Sequence, residues 1–389
     1  MAGATKEPEF YRFRRSGSTF LSSGILPDFN GLHWTFGDQK LARHLANVEP
    51  FRHHHALMQV AATKTVAVNF DDVAALADDD IEAVNRLISS SLESDVALVS
   101  QVSEYIVMSG GKRLRPLIVL LAARALGYEG EQHVRAATII EFIHTATLLH
   151  DDVVDSSARR RGQDSANAVF GNQASVLVGD FLYSRSFQMM VDIGDMRVMQ
   201  ILADATNTIA AGEVQQLMNV HDPDTTEQDY QQVIYRKTAR LFEAGAQIAA
   251  VLAQQDATIE TAMVRYGQYL GTAFQLVDDA LDYEASAEEL GKNLGDDLAE
   301  GKPTLPLIYA MQAGTGAQRA LIRKSILEGG LEQMSEIQQI IRDTGALDYT
   351  AARAREAADS AIEMLAAIPD NEYRHALMSL AKFAIQRRS

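Results

Sequence analysis

The chain has 389 residues and a net charge of −17, which suits one large domain with an appendage and argues against generic nucleic-acid binding, because such binding needs a basic surface. The sequence contains no cysteine, so disulfides, thiolate nucleophiles and cysteine-ligated zinc are excluded. Hydrophobic residues make up 47% and charged residues 22%, as in ordinary globular domains, and no apolar run is long enough to span a bilayer.

The first 70 residues differ from the rest of the chain. They show no sustained helical period, and they contain the only tryptophan, Trp34, and three consecutive histidines at 53–55. We interpret the histidines as an exposed loop, with metal binding as the alternative. We expect residues 1–70 to be an N-terminal extension, or a stretch upstream of a start at Met58, and residues 71–389 to form the main domain. Because no secretory signal precedes this domain, we expect a cytoplasmic location.

From about residue 71 the pattern is helical almost throughout. The segments "RAATIIEFIHTATLLHDD" and "AMVRYGQYLGTAFQLVDDALDY" repeat apolar residues every three or four positions and are apolar nearly all round, which predicts buried helices. No alternating run bounded by turn residues predicts a strand. The sequence therefore predicts an all-α fold, a large bundle whose long central helices are surrounded by others.

A basic cluster precedes the first of these long helices. The stretch "SGGKRLRP" places Lys112, Arg113 and Arg115 after two glycines and before Pro116, where a helix can begin. Glycines let backbone amides approach an anion closely, and lysine and arginine side chains bind phosphate. The spacing is not that of a Walker A loop, so the cluster predicts another kind of phosphate site.

Both predicted buried helices end in the same acidic pattern, D-D-x-x-D. The six aspartates are Asp151, Asp152 and Asp155 in the first copy and Asp278, Asp279 and Asp282 in the second. Carboxylates four positions apart share a helix face and repel each other, so a compensating cation between the two helices is expected. Oxygen ligands without histidine or cysteine favour Mg²⁺ that is shared with substrate phosphates. The duplication favours a metal site over a solvated helix end.

Further basic residues follow both acidic motifs. They are Arg159, Arg160 and Arg161 after the first, Lys237 with Thr238 in "YRKTARLF", and Lys292 and Lys302, each preceded by glycine. Any one of these residues alone is more simply a surface charge. Together with the aspartates they predict a site in which metal and cationic side chains hold a diphosphate.

At these residues the sequence resembles the trans-polyprenyl diphosphate synthases. The resemblance runs from about residue 75 to the C-terminus and rests on "GGKRLRP", "LLHDDVVD" followed by "RRG", "KTA", "FQLVDDALD" and "GKPTLP", in that order. It implies an all-α fold around a deep cavity and a Mg²⁺-dependent prenyltransferase. It also implies repeated addition of isopentenyl diphosphate to an allylic diphosphate such as farnesyl diphosphate, by a homodimer.

The resemblance implies a role for each matching residue. The catalytic set would be Asp151, Asp155, Lys237 and Asp278. The metal ligands would be Asp151, Asp155 and Asp278, with Asp152, Asp279 and Asp282 as secondary ligands or their support. Isopentenyl diphosphate would be held by Lys112, Arg115, His144 and Arg161. The allylic diphosphate would be surrounded by Arg160, Lys237, Thr238, Gln275, Lys292 and Lys302.

Product length should depend on the residues that line the cavity below the aspartates. Ala146 and Thr147 are small and lie five and four positions before Asp151, which leaves room for a long product. Phe187 and Met190 form either a deeper floor or plain core. We expect an octaprenyl product for a quinone side chain, with nonaprenyl as the alternative.

Two other classes share parts of this pattern. A class I terpene cyclase has metal-binding aspartates but does not need the basic residues Lys112 and Arg115. A non-catalytic subunit of a heteromeric synthase normally loses an aspartate motif. Both motifs and the basic cluster are present here.

Overall fold

The computed structural model describes residues 69–108, 110–284 and 295–386. These residues are almost entirely helical, which confirms the predicted fold class. Trp34, the histidines at 53–55 and Met58 lie outside the described residues. The first half contains α1 (Phe70–Ala75), α2 (Asp78–Ser91), α3 (Ala97–Met108), α4 (Leu114–Ala125), α5 (Gln132–Val154), β1 (Arg159–Arg160), β2 (Gln163–Asp164), α6 (Ala166–Phe170), α7 (Asn172–Ile193) and α8 (Met196–Asn219).

The second half is helical as well. It contains α9 (Glu227–Ile234), a π-helix (Tyr235–Ala239), α10 (Arg240–Leu252), α11 (Ala257–Glu284), α12 (Asp296–Ala299), α13 (Leu305–Ala313), α14 (Gly316–Glu328), α15 (Met334–Asp343), α16 (Ala346–Met364), a 3₁₀ turn (Leu365–Ala367) and α17 (Glu372–Gln386). In the described part of the chain no helix is long and apolar enough to cross a membrane.

The long helices α5 and α11 run through the centre, as their all-round apolar character predicts. Helix α5 packs between α4 and α7, while α10 packs against α4, α8 and α11. Side chains such as Leu120, Ile140 and Phe142 are fully buried between these helices. Each such side chain stabilises the fold by about 1.5–3 kcal/mol relative to exposure.

Glycines bring α11 into direct backbone contact with the preceding helical segment. A Cβ at Gly267 would lie 2.6 Å from the Phe242 carbonyl oxygen, and one at Gly271 would lie 2.6 Å from Ala239 Cα. Any larger residue would push the two segments apart. This close packing sets the C-terminal half of α11, which carries the second aspartate motif, beside the π-helix.

The π-helix Tyr235–Ala239 joins α9 to α10 without a break and carries Lys237 and Thr238. Helix α8 packs tightly beside it, because a Cβ at Gly212 would lie 2.7 Å from Arg236 Cβ and 2.9 Å from the Lys237 nitrogen. Wide π turns inside α-helices are frequent at functional sites.

A short hairpin follows α5 and was not predicted. Strands β1 and β2 pair antiparallel with Arg160 opposite Gln163, and the loop is Arg161–Gly162. Both loop residues have positive φ, 52° and 78°, as a two-residue type I′ turn requires. Two-residue strands leave no alternating pattern in the sequence, but the turn fixes where the arginines of "RRG" lie.

The division into residues 1–70 and 71–389 stays a prediction. The described structure shows that Phe70 already belongs to the main helical body, because α1 begins there and its ring lies 5.0 Å from the ring of Phe383 on α17.

Candidate active site

The two aspartate motifs line one cavity of about 730 Å³. Helices α5 and α11 both end at it, and the start of α4, the hairpin loop, α8, the π-helix and residues 296–304 supply its other walls. The predicted residues on its wall are Lys112, Arg115, His144, Thr147, Asp151, Asp155, Arg160, Arg161, Lys237, Thr238, Gln275, Asp278, Asp279, Asp282 and Lys302. Predicted Lys292 lies outside the described residues.

Two lysines contact the first aspartate motif. Lys237 Nζ lies 3.5 Å from Asp151 Oδ2, and Lys302 Nζ lies 3.0 Å from Asp155 Oδ2. Burial raises the pKa of the Asp151 carboxyl against the opposing charge of Lys237. Although burial disfavours the charged ammonium, the Asp155 and Asp297 carboxylates raise the pKa of Lys302. Both lysines are therefore charged at neutral pH and compensate the carboxylates.

The second motif is held by a chain of hydrogen bonds. The buried Asp279 carboxyl accepts from the Tyr230 hydroxyl at 2.5 Å and from Gln275 Nε2 at 2.7 Å, and Gln275 Oε1 accepts from Thr238 Oγ1 at 2.8 Å. Burial and the nearby Asp297 charge raise the pKa of Asp279 to about 8, despite the two hydrogen bonds. A divalent cation in the cavity would favour the ionised carboxylate.

The donor chemistry of the cavity fits Mg²⁺. Within the described residues no three carboxylates or imidazoles converge into a complete metal cage. Mg²⁺ needs no such cage, because it keeps several waters and takes one or two carboxylates plus phosphate oxygens. Asp151 and Asp155 at the end of α5 and Asp278 on α11 would hold the ions, and all their donor atoms are hard oxygens.

Of the two predicted roles of Asp152, secondary ligand or support, the structure favours support. Its side chain is fully buried and forms no part of the cavity wall. Its Oδ1 accepts from Arg160 Nε at 2.7 Å and from Arg160 Nη2 at 2.6 Å. The structure does not support Asp152 as a metal ligand: helix geometry turns this residue away from the face shared by Asp151 and Asp155, so that it positions Arg160 instead.

A second set of cationic side chains, from the start of α4 and from the hairpin, surrounds His144 of α5. Arg115 Nη1 lies 3.0 Å from His144 Nε2, and the Arg115 guanidinium carbon lies 4.7 Å from the centre of the Phe242 ring. Burial, and then the charge of Arg115, holds the pKa of His144 well below its usual range. His144 is therefore neutral and accepts the hydrogen bond from Arg115.

Arg161 lies against the glycine pair that precedes α4. A Cβ at Gly111 would lie 2.8 Å from Arg161 Nη1, so glycine makes room for the guanidinium. Arg113 is ion-paired with the buried Glu141. Lys112 Nζ lies 5.0 Å from the centre of the Phe383 ring. The cavity thus has two cationic groups, one at α4 and the hairpin and one at Lys237 and Lys302, which suits two separate diphosphates.

Only one of the four predicted chain-length residues lines this cavity. Thr147 is on the wall, whereas Ala146 and Met190 are buried in the hydrophobic core and Phe187 is 41% exposed, with its ring against Tyr183. The helix period places Ala146 on the face of α5 opposite His144 and Asp151. The structure does not support Phe187 as a floor of this cavity, and the effects of Ala146 and Met190 on product length stay predictions.

Sequence reasoning missed several residues of the wall. They are Glu141, Glu213, Gln216, Tyr230, Asp296, Asp297 and Phe383. Burial, and then the charge of Asp151, raises the pKa of Glu213 to about 7, against the opposing charge of Lys237. The signal in the sequence was an acid and an amide three positions apart on one face of "GEVQQLMN".

Carboxylates and cationic side chains converge in one cavity of an all-α fold, which suits a prenyltransferase that acts on diphosphates with a divalent metal. The sequence matches the polyprenyl synthetase family over residues 96–344. The chain belongs to the polyprenyl synthetase family.

Individual relatives extend this match over most of the chain. The chain is 54% identical over 321 residues to octaprenyl diphosphate synthase of Haemophilus influenzae, covering 82% of this chain and 98% of that enzyme. It is 47% identical over 324 residues to an all-trans-nonaprenyl-diphosphate synthase of Rhodobacter capsulatus, covering 83% and 99%. A crystal structure of polyprenyl synthase from Caulobacter crescentus, complexed with calcium and isoprenyl diphosphate, superposes with a TM-score of 0.81 at 44% identity, covering 83% and 99%.

Proposed function

We propose that the protein makes octaprenyl diphosphate by adding isopentenyl diphosphate units to an allylic diphosphate, with Mg²⁺. The observation that carries the proposal is the 54% identity to an octaprenyl diphosphate synthase over nearly that enzyme's whole length. The cavity supports it, because both aspartate motifs and both cationic groups line one space.

The difficult step is breakage of the allylic C–O bond, during which negative charge develops on the leaving diphosphate. Lys237, Lys302 and Arg160 line the wall beside the aspartates and are placed to stabilise that charge. When bound, Mg²⁺ supplies further positive charge there. Thr238 and Gln275 are hydrogen-bonded to each other on the same wall and orient the allylic diphosphate.

The second cationic group holds isopentenyl diphosphate. Arg115, His144, Arg161 and Lys112 fix its diphosphate, so that its double bond meets the allylic carbon within about 3–3.5 Å. The released diphosphate is the acceptor we propose for the proton lost afterwards. Apolar wall residues such as Phe274 and Leu148 exclude water, which would otherwise trap the allylic cation.

We also propose that the protein acts as a homodimer. Helices α7 and α8 expose large apolar side chains, namely Val176, Leu177, Phe187, Val191, Val214, Leu217 and Met218. Neighbouring exposed apolar side chains mark interaction sites, and in a two-fold dimer one such surface meets its own copy. A cytoplasmic location, farnesyl diphosphate as the primer and use of the product for a quinone side chain complete the proposal.

The test is product analysis. Purified protein is incubated with labelled isopentenyl diphosphate, farnesyl diphosphate and Mg²⁺, and the product is dephosphorylated and separated by reversed-phase chromatography. We expect the octaprenyl alcohol. A nonaprenyl alcohol would favour the alternative raised by the Rhodobacter relative. A cyclised hydrocarbon or no product would contradict the proposal and favour a terpene cyclase or a non-catalytic subunit.

A further inference from the structure

Helix α8 contributes two polar side chains to the cavity wall, and neither of them belongs to an aspartate motif. Glu213 and Gln216 are three positions apart on one face and both line the wall. Both contact the same atom: Lys237 Nζ lies 2.6 Å from Glu213 Oε2 and 2.8 Å from Gln216 Oε1. Lys237 is therefore bound more closely by α8 than by Asp151, which is 3.5 Å away.

The contact depends on the backbone. The π turn at Tyr235–Ala239 presents Lys237, and Gly212, the residue before Glu213, lets α8 approach that turn closely. The side chains of Glu213 and Lys237 are 28% and 22% exposed, so water screens their attraction only partly. The close packing of α8 against the π turn and the ion pair between Glu213 and Lys237 therefore both hold the Lys237 ammonium group in place.

We propose that Glu213 is a positioning residue, which keeps the Lys237 ammonium directed at the allylic diphosphate. Asp151 alone is a poor anchor for this task, because any cation that Asp151 binds cancels its attraction for Lys237 and repels the ammonium. Glu213 and Gln216 approach Lys237 from α8, and so they keep Nζ in the cavity. Glu213 itself acts through Lys237 and needs no contact with substrate.

This inference rests on the proposed function. The first measurement distinguishes a failure of the inference from a failure of the proposed function, because it follows binding and involves no turnover. Binding of farnesyl diphosphate with Mg²⁺, in the absence of isopentenyl diphosphate, is measured by titration calorimetry for the wild type, Glu213→Ala and Gln215→Ala. Gln215 is the matched control: it neighbours Glu213 on α8, its Oε1 accepts from Arg236 Nη1 at 3.0 Å, and it does not line the cavity.

We expect Glu213→Ala to raise the Kd for farnesyl diphosphate about tenfold, which corresponds to about 1.4 kcal/mol. Gln215→Ala should stay within about twofold, as expected for a contact outside the cavity. The Kd for isopentenyl diphosphate should change in neither variant. An equal loss for both substrates, or an unchanged Kd for farnesyl diphosphate, would overturn the proposal.

A double-mutant cycle tests whether Glu213 acts through Lys237. In a Lys237→Met background, Glu213→Ala should leave the Kd for farnesyl diphosphate unchanged, because the group it positions is gone. If Glu213 instead binds metal directly, the two effects add and the Mg²⁺ requirement rises in both backgrounds, which would refute a positioning role.

Chemical labelling gives a readout without metal or substrate. Lys237 should react faster with an amine-directed acylating reagent in Glu213→Ala than in the wild type, because the variant lacks the carboxylate that holds the Lys237 ammonium at 2.6 Å. Mass spectrometry of the peptide that contains Lys237 measures this rate. Equal rates in the wild type, Glu213→Ala and Gln215→Ala would contradict the proposal.

Discussion

Arg115 Nη1 donates to Nε2 of the half-buried, neutral His144 at 3.0 Å, which ties the first turn of α4 to the middle of α5. The bond fixes the imidazole tautomer, because an accepting Nε2 leaves the proton on Nδ1. It also holds the guanidinium on the cavity wall, where isopentenyl diphosphate is proposed to bind.

His144→Ala should raise the KM for isopentenyl diphosphate about tenfold, as expected when a charge-assisted hydrogen bond is lost. Because the folded-state pKa of His144 is well below 6.5, the ring stays neutral as the pH falls through that value. The KM should therefore show no His144-dependent change between pH 8 and pH 6. The control is His150→Ala, at a part-exposed histidine on the same helix. A wild-type KM that rises at pH 6, but not in His144→Ala, would contradict the neutral state.

Asp151→Ala and Asp278→Ala should each remove nearly all turnover and leave the helical circular dichroism unchanged. The two residues line the cavity from different helices, α5 and α11, so either change removes a proposed metal ligand. Product formation at saturating Mg²⁺ is the measurement, with Asp180→Ala on the exposed side of α7 as the control. Near-normal turnover in either variant would refute the metal assignment.

Removal of residues 1–57 should leave elongation largely unchanged. The resemblance begins near residue 75, and every described wall residue of the cavity lies after residue 110. The initial rate and product length of the truncated protein are compared with those of the full chain. A folded truncation without activity would show that the extension belongs to the working enzyme.

Thr147→Phe should shorten the product while the first condensations continue. Thr147 is on the cavity wall four positions before Asp151, about 6 Å along the helix axis, so a phenyl ring there narrows the path of the growing chain. Chromatography after phosphatase treatment measures the length. Ala146→Phe is the companion variant, and a shorter product from it would show that the core beside α5 opens to the chain. An unchanged product from an active Thr147→Phe would contradict the placement of Thr147.

Asp80→Asn should destabilise the fold in a pH-dependent way. Asp80 on α2 accepts from Arg124 at 2.7 and 2.9 Å and lies 3.1 Å from His133 Nε2. Although burial opposes ionisation, these two partners hold the pKa of Asp80 far below its usual value of 3.8. A lowered pKa stabilises the fold above the unfolded-state value, and that contribution is lost as the pH falls below it.

The free energy of unfolding should therefore fall by about 2 kcal/mol in Asp80→Asn at neutral pH, the cost of losing a charged hydrogen-bond pair. The difference from the wild type should shrink below about pH 4. Urea denaturation at several pH values measures it, with the exposed Asp79→Asn as the control. A difference that stays constant with pH would show that the Asp80 charge is not responsible.

Much of the fold was predictable because its signals are local. Apolar residues all round α5 and α11 predicted buried helices, and aspartates at their ends predicted the two walls that the structure brings together. The hairpin Arg159–Asp164 was missed because its strands are only two residues long.

Roles that depend on side-chain direction were harder to predict. Asp152 belongs to the motif by spacing, yet it faces Arg160 and the core. Ala146 and Thr147 are adjacent, and only the helix period distinguishes the residue that faces the cavity from the one that faces the core. The spacing of Glu213 and Gln216 marks one polar face of α8, but it does not show that this face contacts Lys237 on another helical segment.

The π turn at Tyr235–Ala239 makes the site sensitive to chain length as well as to side-chain identity. Its hydrogen bonds span five residues instead of four, so the turn holds one residue more than an α turn, and deleting one residue would close it into an ordinary α turn. The flanking helices would keep their faces, but Lys237 and Thr238 would lose the directions that bring them to Glu213 and Gln275. In a library of single-residue deletions, this five-residue stretch should be among the least tolerant of the described chain, because one deletion redirects both side chains at once.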